Sequence, residues 1–126
     1  MATSGTVRRK SDHQIILDNV RWCDYFLCKL KGLMFRRDLG PGEGLLMVEV
    51  TASRVTTSIH MLFMFMPLGI LWLDSDMRVV DMVLAQPWRL AYFPSKAAQY
   101  VLETSPMILQ HVVIGDSLQF ESHEAT

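Results

Sequence analysis

Cysteine is scarce in this 126-residue chain, with two residues, and proline and glycine are modest at five and seven. Two thiols cannot supply a disulfide framework, so the fold has to rest on a hydrophobic core. Formal charge is missing altogether from Val55 to Leu73. That gap invites a membrane reading, but Thr56, Thr57, Ser58, His60, Pro67 and Gly69 interrupt it. The apolar part from Ile59 to Leu73 falls short of the roughly twenty residues a spanning helix needs, and Pro67 would break such a helix in its middle. No apolar run follows the basic residues of "MATSGTVRRKSDHQ", which argues against a signal peptide. The expected location is the cytoplasm.

What the chain does have is an ordinary globular balance, 50% hydrophobic and 20% charged, enriched in methionine. A chain of this length buries roughly two thirds of its unfolded surface as one domain. The net charge of −1 is unevenly spread. Residues 1–37 carry eight Lys and Arg against three Asp, and the remainder four against ten. The basic residues are dispersed among apolar ones and no nucleic-acid motif accompanies them, so a solvated face is expected rather than a nucleic-acid site.

Residues 1–12 and 122–126 read as tails around a single globular domain at 13–121. "HQIILDNV" suits a strand ending in a turn, and "RWCDYFLCKLKGLMFRR" changes to helical period, with Trp22, Phe26, Leu30, Leu33 and Met34 on one face. On that helix Cys23 and Cys28 would be separated by about 140°, so free thiols are expected. Further strands are expected at "LLMVEV", at Ile59–Met66, in the hairpin "GILWLDSDMRVVDMVL", at "PWRLAYFP" and at "VVIGDSLQF", with "AAQYVLE" open between strand and helix. Pro106 can start a short helix through His111. Many short strands, one principal helix near the N-terminus and no strand–helix alternation predict a mainly β (α+β) domain. It would be a small sandwich or partly open barrel.

The succession "LKGLMFRR", "GPGEGLLM", "SIHMLFMFMPLGILWLDSDMRVV", "QPWR", "YVLE" and "IGD" resembles the uncharacterised bacterial and archaeal family known as domain of unknown function 192, over Val20–Leu118. The resemblance implies a compact, jelly-roll-like β domain with an early helix and no assigned activity. Relatives place a basic residue and an acidic residue where this chain has Phe65 and Gly69, so a site built on that pair does not carry over. They also place a glycine shortly after the pair that includes Glu103, and here it is missing.

No complete catalytic set is present: there is no GxSxG elbow and no HExxH. Asp74, Asp76 and Asp81 lack the glycine and glutamate of a calcium loop, and a hairpin turn explains the first two. His60, Arg36, Trp88 and Glu103 occupy the family-like polar and aromatic positions and are the candidate ligand-binding residues. The expected function is a non-catalytic binding or accessory module for a small molecule or protein partner, with no cofactor, no nucleic acid, no membrane and a possible homodimer. Hydrolysis or carbohydrate processing through His60 and Glu103 is the alternative. Copper binding through His60 and Met64 comes third, because on a regular strand Met61 would face away from both.

Overall fold

The computed structural model describes residues 3–124. Seven strands form one mixed sheet: β1 (Thr3–Arg9), β2 (Ile15–Cys23), β3 (Glu43–Ser53), β4 (Leu68–Leu73), β5 (Val79–Ala85), β6 (Ala98–Thr104) and β7 (Leu118–Ser122). Their order is β5-β4-β6-β3-β2-β1-β7, with β2 and β3 parallel and the other neighbours antiparallel. The two edge strands approach each other, since Arg78 bridges Ser117 and the Val79 N–H donates to the Asp116 carbonyl at 2.8 Å. The sheet is therefore a partly open barrel, mainly β as the sequence predicts.

Side-chain alternation divides the apolar residues between two faces. Leu46, Leu71 and Leu102 pair across β3, β6 and β4 and point inward, joining Val7, Val20, Val79 and Leu118 from the other strands. Leu45, Met47, Ile70, Trp72 and Val101 point outward, yet they too are buried. β4 is buried at all six positions, which is why it reads as a continuous apolar run. The outward face is covered by a second layer made of helix α1 (Phe26–Lys31), the turn after it and the loops 54–66 and 86–93. This layer is tied down by backbone bonds between Ile59 and Tyr92 and between Met61 and Arg89. The Trp72 indole adds a bond, donating to the Thr57 carbonyl at 2.7 Å.

The hairpin at "GILWLDSDMRVVDMVL" forms as expected, with the Asp74 carboxylate accepting from the Asp76 and Arg78 amides in its turn. The segment expected to be helical or extended at 98–104 is strand, and Pro106–Gln110 is a short 3-10 turn.

Five expectations are corrected. The segment "PWRLAYFP" is not a strand: only Tyr92 bridges, to Ile59, and the rest is turn and loop held by backbone bonds to the 54–66 loop. Within the segment taken as a tail, Thr3–Arg9 forms β1, pairing on both sides with β2 and β7, because its sparse apolar residues Gly5 and Val7 pack in a bulged register that shows no clean alternation. Residues 1–2 and 125–126 of the expected tails lie outside the described residues. The helix is six residues long, since Arg21–Cys23 belong to β2 and Gly32 ends it in a left-handed conformation (φ 49°). Cys23 and Cys28 accordingly do not share a helix. With one at a strand end and the other on α1, their Cα atoms come within 5.8 Å and they form a disulfide, so the two thiols are not free. Ile59–Met66 is not a strand: only Ile59 bridges, and a turn follows in which the Met64 N–H donates to the Met61 carbonyl at 3.2 Å.

Candidate ligand-binding site

Glu103 sits on β6 directly opposite Leu45 of β3 and Ile70 of β4. Strand alternation puts it in the outward row with those two side chains, under the covering layer, and it is only 5% exposed. Its carboxyl has no hydrogen-bond partner among the described residues. Burial alone pushes its titration up to about 7.

The carboxyl faces a cavity of about 90 Å³ between the sheet and the covering layer, room for on the order of three waters. Met47 and Val101 from the sheet, Leu33 and Met34 after α1, and Met61 and Met64 from the loop form its apolar wall. Thr57, Ser58 and His60 stand on the polar side, with Lys29 and Glu49 paired at 2.9 Å. Gly32 lies next to the carboxyl: a Cβ there would stand 3.5 Å from Glu103 Oε1, and its positive φ disfavours any other residue. His60 and Glu103 therefore line one cavity. The imidazole Nδ1 accepts from the Leu62 N–H at 3.3 Å, and the residue as a whole is exposed.

Arg36 and Trp88 are not among the residues lining this cavity. The Arg36 guanidinium donates to both carboxylate oxygens of Glu43 at 2.9 Å, a fork that raises its own titration and holds Glu43 below the usual carboxylate range. Trp88 belongs to a second feature, an exposed aromatic cluster. Ring centroids run Phe35–Phe63 at 5.4 Å, Phe63–Trp88 at 5.3 Å, Trp88–Phe65 at 6.2 Å and Phe65–Phe35 at 6.4 Å, with the Arg37 guanidinium 5.2 Å from the Phe65 ring. Phe35, Phe63 and Trp88 all have positive φ, between 61° and 70°. The Phe35 N–H donates to the Phe63 carbonyl, and the Trp88 N–H to that of Met61, which fixes these turns against each other.

Sequence alone missed Gly32, Met34 and Met47 as cavity residues. The glycine inside an otherwise helical pattern was the available signal for the first. Among the described residues no group of three or more His, Cys, Asp and Glu side chains could hold a metal ion, and no helix is long and apolar enough to cross a membrane.

A partly open barrel carrying a lidded outer layer, with one carboxyl stranded beneath it, defines the class of domain. The sequence profile of the uncharacterised family known as domain of unknown function 192 matches residues 6–120, and the chain belongs to that family. It is 43% identical over 84 residues to a UPF0127 protein of Thermococcus kodakarensis, covering 67% of this chain and 52% of that protein. The chain thus spans about half the length of that relative. A UPF0127 protein of Pyrococcus furiosus is 35% identical over 103 residues, covering 80% of this chain and 85% of its own length. Among solved structures, a protein of unknown function from Novosphingobium aromaticivorans superposes with a TM-score of 0.76 at 22% identity, over 94% of this chain and 84% of that one. A provisionally assigned transcription regulator from Sinorhizobium meliloti superposes at 0.80, also at 22% identity, over 95% and 94%. At that identity the likeness extends to the fold alone.

Proposed function

We propose that this protein is a non-catalytic small-molecule-binding domain and that the cavity beside Glu103 is its binding site. The observation that carries this is the buried carboxyl without a partner. With no protein partner, such a carboxyl depends on whatever occupies the cavity to satisfy it, and a leucine at the same outward strand position would carry no such need. Groups of this kind, set in a cleft with an upward-shifted titration, cluster at functional sites.

A panel of four-carbon probes, 1-butanol, butyramide, butyrate and n-butylammonium, followed by amide chemical shifts tests this. At least one member is expected to move residues of α1, the 57–64 loop and β6 together, and Val101→Phe, which fills the wall, is expected to abolish that response. Shifts scattered away from the cavity, or unchanged in the filled variant, would sink the proposal.

A second reading, hydrolysis with Glu103 as acid and His60 as base, is favoured by their sharing one cavity. The Thr57 and Ser58 hydroxyls donate to the Ser53 and Val55 carbonyls and both cysteines are in the disulfide, so this reading requires a cavity water or the Thr56 hydroxyl as nucleophile. Turnover of a nitrophenyl ester or glycoside that disappears in both Glu103→Gln and His60→Ala would establish it.

A further inference from the structure

Resting on the ligand-binding reading above, we propose that the cavity takes the terminal ammonium of a primary alkylamine, with the Glu103 carboxylate as its counter-ion and the methionine walls around its methylene stem. The lining selects among ligand classes. A carboxylate or phosphate would be driven into a site whose deepest polar group becomes an anion, with little water to screen the repulsion. A purely apolar ligand would leave the Glu103 oxygens unpaired. An ammonium brings three donors to a carboxylate that has no other partner, and the thioethers of Met34, Met47, Met61 and Met64 are adaptable, polarisable walls for an alkyl stem.

The other charged groups facing the cavity do not already fill this role. Lys29 of α1 is held by Glu49 of β3, Lys31 of α1 is exposed, and His60 of the covering loop turns its Nδ1 to the Leu62 amide. No ion pair to Glu103 forms among the described residues. Gly32 adds no side chain beside the carboxyl, so the position next to its Oε1 stays open for a ligand. The cavity volume of about 90 Å³ suits an ammonium with a few methylenes.

Ammonium binding requires the ionised carboxylate, so it is linked to loss of the Glu103 proton. Affinity for n-butylammonium should rise by about tenfold between pH 6 and pH 8. Calorimetry at pH 6 in two buffers of different ionisation enthalpy should show the release of close to one proton per site. Glu103→Gln should weaken binding by at least tenfold, with no pH dependence left, while the wild-type proton release reports on the same group without any substitution. Nα-acetyl-lysine amide separates the two sources of this chemistry: binding of both probes extends the site to lysine side chains, and binding of butylammonium alone restricts it to free amines.

If 1-butanol or butyramide occupies the cavity as tightly as butylammonium, or if butylammonium binds with no proton released, the ammonium class is overturned while the ligand-binding reading stands. If the whole probe panel leaves the cavity residues of the folded protein unmoved, both fall.

Discussion

The Glu103 cavity and the Trp88 cluster share the 54–66 loop and the turn after α1, and they meet water in opposite ways. Around Glu103 a group that prefers water is only 5% exposed; around Trp88, rings that prefer burial stand 44% to 59% exposed. One turn produces both. Because the chain reverses between Met61 and Met64, those two side chains point into the layer at 0% and 3% exposure, while Phe63 and Phe65 point out at 45% and 44%. Each region departs from the usual burial preferences in its own direction. The cavity carries its cost in desolvation and the cluster carries part of its cost in left-handed backbone. They are therefore separable by experiment: the cavity should respond to pH and the cluster should not.

The largest effect is expected where the segment shared by both regions enters β4. A Cβ at Gly69 would lie 2.5 Å from Ile108 Cγ2 and 2.9 Å from the Ser105 carbonyl oxygen. Gly69→Asp should destabilise by at least about 3 kcal/mol, through overpacking and a buried charge, and leave the protein largely unfolded at 37 °C. An unfolding free energy within about 0.5 kcal/mol of wild type, about a third of the change a tenfold equilibrium shift represents, would mean that the 3-10 turn moves freely and that the cavity and cluster are not fixed by this approach.

Next comes the carboxyl itself. Its folded titration is raised, so the folded state holds the proton across the interval in which the unfolded chain, near 4.5, has lost it. Stability from this group is fully present below about pH 4.5 and is lost as pH rises to about 7, by roughly 3 kcal/mol in all. Glu103→Gln should match wild type at pH 4.5 and exceed it increasingly up to pH 7, with no further gain above. Parallel urea-denaturation curves for the two proteins across that range would show the buried carboxyl to be satisfied by something else.

The hairpin, β3 and the final strand are legible in the sequence as short apolar runs between turns, but β6, whose register buries Glu103, is not: its segment reads equally as strand or helix. The family is legible as well. What sequence periodicity misjudged was the covering layer, because it has no period. The 54–66 loop is apolar enough to pass for a strand, but its conformation is set by left-handed turns at aromatic residues, where propensity predicts no turn, and by long-range backbone bonds to Arg89 and Tyr92. The disulfide was missed for a related reason. The helical pattern was extended backwards over Cys23, and a separation of five residues on a helix gives a different geometry from five residues across a strand end. Of the four candidate residues, His60 and Glu103 line one cavity, whereas Arg36 is taken up by Glu43 and Trp88 by its neighbouring rings.

A third prediction concerns the cavity wall. The disulfide ties α1, whose C-terminal turn lines the cavity, to the end of β2. Cys28→Ser should destabilise by about 2 kcal/mol, the expected magnitude for a short closed loop, and should loosen amide protection in 29–34 more than in 86–93. Equal loosening in both places would show that the layer moves as one body and that the two regions are not independent.

The smallest effect belongs to the cluster. Phe63 holds φ at 61°, a conformation that costs a β-carbon-bearing residue about 1 kcal/mol and that asparagine tolerates far better. Phe63→Asn gives back much of that strain and forfeits contacts with Phe35 and Trp88, which are worth about 0.5–1.5 kcal/mol each but are half exposed. The two changes nearly cancel, so stability should shift by less than about 1 kcal/mol at every pH, and the Glu103 titration should stay where it is. If this substitution instead destabilises by several kcal/mol, the cluster is a core element that happens to show its edges. If it moves the Glu103 titration, the rings govern the cavity through the Met61–Met64 turn. Either result would merge the two regions into one.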